Sequence, residues 1–447
     1  LTACYDLVVL GAGSAGLSLA LRAAEHGARV AICDPGRLGG TCVNVGCVPK
    51  KAFWYAAQWA QSQAFARTCG FRPAPEAALD WRLFRARREA YIASIRSRYA
   101  ERLRAAGITL IGAHARLLAS DLVETATGAR LGAPRVAIAT GARPLRPDLP
   151  GAELGMVSDD IFALERPPGR IAVVGGGYVA AECASLLQAL GGEVELLVRG
   201  RLLAGFDEEL VGHLAQAMQA RGLRIRRQVE VRRVYRDGAV YLEEASGARL
   251  GPYDALLWAV GRVPNSDLPG LDRLGIALDE RRRIRVDRYQ ETAVAGVCAL
   301  GDVSDNRALT PVAIAAGHAL AERWFGGRPD AHLEQEFVPS VAFTDPPLGG
   351  VGLDETQARA RYGEAVQAHV HAFVPMSQAL ADGEERSWVK MLCVGQEERV
   401  VGLHAFGPGV DEYLQGFAVA MRQGLTRRDL RAAIAIHPTA AEELLLH

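Results

Sequence analysis

The stretch Tyr5-Asp-Leu-Val-Val-Leu10, followed directly by Gly11-Ala-Gly13-Ser14-Ala-Gly16, joins an apolar run to three spaced glycines. A helical pattern continues through Ala24, and a second apolar run covers residues 28–33. This order reads as strand, glycine turn, helix, strand. Gly11 permits a tight turn, Gly13 lets backbone approach a pyrophosphate, and Gly16 lets helix and strand pack closely. The helix N-terminus adds N–H donors and a positive dipole end for the phosphates. Asp34, 18 residues beyond Gly16, stands where an acid holds a ribose hydroxyl pair. A purely structural glycine turn is the alternative; the placed acid favours a nucleotide.

Outward from this unit the same grammar returns. Residues 170–174 form an apolar run, Gly175-Gly-Gly177-Tyr178-Val-Ala180 follows, and a helical pattern to about Leu190 leads to residues 193–198. Between the two units lie a helical stretch over 50–106, interrupted at Pro73 and Pro75, and short strands ending at Thr140-Gly141. Two further strands end at Gly261 and at Gly301-Asp302. From about Gln335 strands over 340–343, 388–393 and 400–405 precede helices, a separate α+β pattern. The expected class is α/β, with two Rossmann-like dinucleotide-binding domains and a C-terminal α+β domain, divided as 1–141, 142–264, 265–334 and 335–447.

The 447 residues suffice for two to four domains of about 100–200 residues each. At 49% hydrophobic and 23% charged, the composition excludes disorder, collagen and coiled coil. The 51 basic residues balance 51 acidic ones and the arginines are scattered, so no nucleic-acid partner is expected. No run approaches the roughly 18 apolar residues of a membrane span, and the start lacks signal-peptide anatomy. A soluble, cytoplasmic protein with no membrane partner is expected. Eight cysteines (Cys4, Cys33, Cys42, Cys47, Cys69, Cys183, Cys298 and Cys393) are too sparse for a disulfide scaffold. Lysine occurs only at 50, 51 and 390, which makes each one informative.

Gly39-Gly-Thr41-Cys42-Val-Asn-Val-Gly-Cys47-Val-Pro-Lys50-Lys51 places two cysteines five apart before a helical segment. Zinc needs about four ligands, and no second cysteine pair or histidine cluster supplies them, so no metal is expected. A redox-active dithiol fits, because a positive helix end lowers a thiol pKa; two unpaired core cysteines are the alternative. Lys50 offers a compact ammonium for a flavin ring edge, with Glu182 inferred as the carboxylate that keeps it charged. In the second glycine unit Arg199 stands where the first has its acid. A guanidinium grips a 2′-phosphate that a carboxylate repels, which points to NADPH; a solvated arginine is the alternative. His437, eleven residues from the end, titrates in the range that disulfide exchange needs of an acid and base.

These motifs, together with Leu309-Thr310-Pro-Val-Ala-Ile-Ala-Ala-Gly317 and His437-Pro-Thr-Ala-Ala-Glu442-Glu443, resemble the pyridine nucleotide:disulfide oxidoreductases over essentially the whole chain. Within that family the resemblance is to the glutathione reductases. It implies FAD in the first site, with Gly11, Gly13, Ser14, Gly16, Asp34, Thr41, Thr140, Gly141, Asp302 and Thr310 around it. It implies NADPH in the second, at Gly175, Gly177, Tyr178, Arg199, Arg201 and Gly261. Cys47 is implied to face the flavin, Cys42 to attack substrate, and Glu442 to orient His437. A homodimer is implied, in which the C-terminal interface domain completes the partner's active site.

The substrate positions depart from the glutathione pattern. His318 replaces an arginine after Gly317, and Leu21, one turn after Ser18, replaces a polar residue. Tyr91 and Tyr99 match family tyrosines, Arg98 stands where a small or apolar residue is usual, and Met376 precedes Ser377 rather than an aromatic. Ala204 replaces a second phosphate-binding arginine in a loop one residue shorter, leaving Arg201 as its substitute. With fewer cations for a tetracarboxylate, the expectation is a small-molecule disulfide other than glutathione's, for example oxidised ergothioneine. Glutathione-disulfide reduction is the alternative. A dihydrolipoamide dehydrogenase, which favours NAD and an acid where Arg199 stands, and a flavin-binding protein without turnover are weaker readings.

Overall fold

Leu7–Leu10, Val30–Cys33 and Val136–Ile138 are buried at every position, the mark of parallel strands covered on both faces. They belong to a five-stranded parallel sheet that runs Val297–Ala299, Val136–Ile138, Leu7–Leu10, Val30–Cys33, Thr109–Ile111. The computed structural model describes residues 2–72, 79–305, 307–381 and 383–445; the break expected at Pro73 and Pro75 lies outside them. Helices Cys47–Thr68 and Trp81–Ala105 account for the long helical stretch.

The chain divides into two units. The first comprises Leu1–Ala52, Arg82–Leu145 and Arg262–Glu334. Its parallel sheet is joined by a four-stranded sheet of Thr2–Cys4, Arg130–Gly132, Leu122–Thr125 and Ala115–Ala119. Helix Ser14–Glu25 packs along helix Thr310–Trp324. A Cβ on Gly317 would lie 2.6 Å from Ser18 Oγ and 2.8 Å from the Leu19 nitrogen, so glycine is what permits the approach.

The second unit comprises Phe53–Trp81, Arg146–Gly261 and Gln335–His447. Its parallel sheet runs Met156–Val157, Ala255–Trp258, Arg170–Val174, Glu193–Val198, Arg224–Arg227. An antiparallel meander of Val231–Asp237, Ala239–Glu244 and Arg249–Tyr253 follows. A five-stranded antiparallel sheet runs Ser340–Ala342, Leu348–Gly352, Arg399–Phe406, Ser387–Val394, Val366–Phe373. Ala342, Leu348 and Phe406 of this sheet share one core with Ala180, Leu187, Leu210 and Leu214. The α/β architecture with two dinucleotide-type units and a C-terminal α+β part is as expected. Among the described residues no helix is long and apolar enough to cross a membrane.

Candidate active site

In the first unit the turn at Gly11 has φ +114°, and a Cβ there would run into the Ala139 carbonyl. A Cβ on Gly40 would stand 2.8 Å from the Cα of Gly13. The two loops therefore meet backbone to backbone and leave a cradle that side chains would fill. Asp34 is fixed beside it: its carboxylate accepts the Ala12 N–H at 2.5 Å and the Gly36 N–H at 2.6 Å. Thr140-Gly141 is laced to Asn265, whose carbonyl accepts the Thr140 hydroxyl at 2.8 Å and whose amide donates to the Thr140 carbonyl at 2.9 Å. Asp302 lies 4.0 Å from Arg262, and burial pushes its carboxyl above the usual carboxylate range against the pull of that guanidinium. A glycine cradle for a pyrophosphate and a half-buried carboxylate for a polyol hydroxyl fit FAD.

The dithiol is built by a kink. Helix Gly40–Val45 stops at Gly46, where a Cβ would lie 2.8 Å from the Thr41 carbonyl, and helix Cys47–Thr68 begins at once. Cys42 and Cys47 are thereby brought into hydrogen-bonding reach of each other, with Cys47 Sγ 3.5 Å from the hydroxyl of Thr310. Cys47 is exposed and Cys42 half-buried. The adjacent Cys47 sulfur, and after it burial, push the Cys42 thiol well above its ordinary range; the Thr310 hydroxyl pulls the other way. The expected lowering by a helix end is not seen at Cys42: it lies in the first turn of helix Gly40–Val45, but the neighbouring sulfur and burial outweigh that end.

Asn44 is a residue that sequence reasoning missed. Its amide donates to the carbonyls of Leu38 at 3.0 Å and Gly40 at 2.9 Å, and its oxygen accepts from Arg96 at 3.2 Å. Asparagine inside a helical turn is unfavourable unless its side chain bonds backbone, so its place between the cysteines was a readable signal.

The candidate substrate residues of the first unit differ in exposure. Tyr91, Arg98 and His318 are exposed, Leu21 and Tyr99 pack half-buried against the core, and Lys50 is half-buried. Ser18 is buried and donates to the Ile314 carbonyl at 2.7 Å, which commits its hydroxyl to helix packing.

In the second unit Gly175 has φ +146°, and a Cβ would strike the Ala259 carbonyl, while a Cβ on Gly177 would meet nothing within 4 Å. Tyr178 is exposed at the start of helix Tyr178–Ala189, Arg199 is exposed at the end of strand Glu193–Val198, and Arg201 pairs with Glu208 at 3.2 Å. An open glycine turn with cations nearby fits NADPH. Glu182 is buried and accepts the Phe343 N–H at 2.8 Å. His437 is 80% exposed, yet its Nδ1 lies 2.9 Å from Oε2 of buried Glu442. The Thr439 N–H donates to the other Glu442 oxygen at 2.9 Å. That N–H, and then His437, hold the Glu442 carboxyl below the usual carboxylate range. Met376 is exposed. Among the described residues no group of histidine, cysteine and acidic side chains is arranged to hold a metal ion.

Residues 5–317 match the pyridine nucleotide-disulphide oxidoreductase family, and residues 338–446 match that family's dimerisation domain. A Burkholderia cepacia protein named glutathione reductase is 41% identical over 443 residues, covering 99% of this chain and 98% of that protein. A Schizosaccharomyces pombe protein of the same name is 38% identical over 455 residues, with 99% and 98% covered. Fold, cradles and dithiol agree with these likenesses, and the chain belongs to the pyridine nucleotide-disulphide oxidoreductase family as a flavoprotein disulfide reductase that uses FAD and NADPH.

Proposed function

We propose that the protein is an NADPH-dependent glutathione-disulfide reductase. The observation that carries this reading is the likeness, over 99% of the chain, to two proteins named glutathione reductase. The departures at Leu21 and His318 favoured a different disulfide, such as that of ergothioneine. No comparison supports such a substrate, so the alternative reading takes precedence. Arg98, exposed next to Tyr99, supplies a cation for a substrate carboxylate, and Tyr91 and His318 add contacts.

FAD and NADPH, when bound, supply the electron pair that keeps the Cys42–Cys47 pair reduced. Lys50 is assigned to the flavin edge. Cys42, as thiolate, attacks one sulfur of the substrate disulfide. The substrate S–S bond breaks, a mixed disulfide forms on Cys42, and the leaving thiolate takes a proton from His437. Cys47 then attacks the Cys42 sulfur, which closes the Cys42–Cys47 disulfide and releases the second thiol. A Cys42 thiol pushed upward needs a base to become an attacking thiolate, and His437, aligned by Glu442, has that role. Because His437 is exposed while its carboxylate partner is buried, it is assigned to the dithiol of a second copy, in a homodimer whose subunits share each active site. Residues 265–334 complete the FAD domain in this reading and 335–447 form the interface.

Steady-state assays with NADPH and glutathione disulfide test the substrate. A kcat/KM near 10⁶ M⁻¹s⁻¹, on the order of efficient enzymes, is expected; a value about a hundredfold lower, with another small disulfide turned over faster, would overturn the assignment to glutathione. Mixed dimers of a Cys42→Ser subunit and a His437→Gln subunit test the shared site. Random exchange is expected to restore about a quarter of the sites, and no recovery after verified exchange would place both residues in one subunit's site.

A further inference from the structure

Three consecutive acids, Asp207, Glu208 and Glu209, open helix Glu208–Ala220. Two are neutralised from one side. Lys390, on strand Ser387–Val394 and only 3% exposed, places Nζ 3.1 Å from Asp207 and 2.8 Å from Glu209, with Glu355 at 2.7 Å. Asp207 also caps the helix by accepting the Leu210 N–H. With Asp207 and Glu209 both held by Lys390, Glu208 is the acid of the three left to face another cation. That side chain is 73% exposed, and it lies 3.2 Å from Arg201.

Arg201 sits against the second glycine loop. A Cβ on Gly176 would stand 2.7 Å from the Arg201 carbonyl, and the Leu203 N–H donates to the Gly176 carbonyl at 2.6 Å. Leu202 and Leu203 are buried, which anchors the segment. The backbone of Arg201 is thus fixed beside the nucleotide turn while its guanidinium is held by a carboxylate.

We propose that Glu208 is a specificity-determining residue of the nucleotide site, a carboxylate that competes with the 2′-phosphate of NADPH for Arg201. This rests on the reading of Arg199 and Arg201 as the 2′-phosphate cations. The phosphate monoester carries about −1.5 to −2 charges at pH 7, so it is repelled by Glu208 and must displace it to reach Arg201. Removing the charge frees the guanidinium and removes the repulsion. The gain is modest because the pair is exposed, and it fades with salt.

The test titrates 2′,5′-ADP into the FAD-loaded enzyme by calorimetry at low and high salt. Glu208→Gln is expected to tighten 2′,5′-ADP about three- to tenfold at low salt, to lower the KM for NADPH with kcat unchanged, and to leave the KM for NADH alone. In an Arg201→Gln background the same change is expected to give a smaller gain, because only the repulsion is then relieved. Unchanged or weaker 2′,5′-ADP binding in Glu208→Gln overturns the proposal, as does a gain of the same size in the Arg201→Gln background. If Arg199→Ala and Arg201→Gln each leave 2′,5′-ADP binding as in wild type, the assignment of these cations to the 2′-phosphate falls, and the proposal with it.

Discussion

The two glycine loops share a spacing and differ in what surrounds them. At the first, the acid that follows the second strand is locked by two backbone N–H groups, and the loop meets Gly40 main chain to main chain. At the second, the corresponding position is an exposed arginine, and the loop opens beside an exposed tyrosine. A site made of fixed backbone and held carboxylates loses little entropy on binding and suits a resident prosthetic group. A site that grips with long exposed side chains must order them at each encounter, which suits a cosubstrate that leaves after every turnover.

The sharpest way to break the comparison is to give both turns a Cβ. Gly11→Ala and Gly175→Ala each face a carbonyl from a backbone conformation that L residues rarely adopt, at a cost of about 3 kcal/mol or more. Gly11→Ala is expected to purify without flavin and to melt earlier. Gly175→Ala is expected to keep its flavin while NADPH-driven flavin reduction slows more than a hundredfold. Absorbance spectra and stopped-flow mixing read both, and equal flavin loss in the two would remove the proposed division of labour.

Replacing His437 by glutamine leaves both loops intact and probes the step beyond them. Disulfide turnover is expected to fall by about 10²–10⁴, the usual range for a general acid or base, with reduction of the flavin by NADPH unaltered. Slowed flavin reduction would tie His437 to the nucleotide half of the cycle.

Arg199→Ala and Asp34→Asn compare the two positions directly. Loss of one charge-assisted contact of about 1.5–3 kcal/mol should raise the KM for NADPH about 10- to 100-fold and spare NADH. Asp34→Asn replaces one of the two accepting oxygens by a donor, opposite the Ala12 or the Gly36 N–H, and flavin retention during dilution is expected to weaken about tenfold. An Arg199 variant that still discriminates against NADH would shift the phosphate site elsewhere.

The smallest expected effect lies outside both loops. The Glu442 carboxyl is held below the usual range near 4.3 by the Thr439 N–H and by His437. A depressed folded value means that its contribution to holding the C-terminal turn is complete above that ordinary value and is lost as pH falls through the folded one. NMR titration of the Glu442 side-chain carboxyl carbon is expected to show a midpoint below the ordinary glutamate range. A midpoint at or above the ordinary value would mean that the Thr439 N–H and His437 do not hold the carboxylate.

Both glycine units, the dithiol and the C-terminal His/Glu pair were legible because each depends on residue types at fixed local spacings. The antiparallel sheet was only half legible. Leu348–Gly352 reads Leu-Gly-Gly-Val-Gly, a poor strand by propensity. Its glycines are explained by packing, since a Cβ on Gly350 would lie 2.5 Å from the His404 ring and one on Gly349 2.9 Å from Leu414. Val366–Phe373 alternates weakly and was also unread. At the site, Asn44 and Asn265 act through backbone partners that no spacing reveals until the loops meet. The upward shift of Cys42 arises from a neighbouring sulfur, and the pairing of Arg201 with Glu208 needs a loop folded back on the helix that follows it.

Helix Thr310–Trp324 carries the neighbour of the dithiol and the proposed substrate residue on one rod, yet keeps them apart. It begins at the threonine beside the Cys47 sulfur, is clamped to its neighbour where Gly317 meets Ser18, and one residue later presents His318 to solvent. Eight residues of helix span about 12 Å, and a rod locked at its middle transmits little of a side-chain change from one end to the other. On the reading that places His318 at the substrate, substitution there is expected to change which disulfide is accepted without retuning electron transfer.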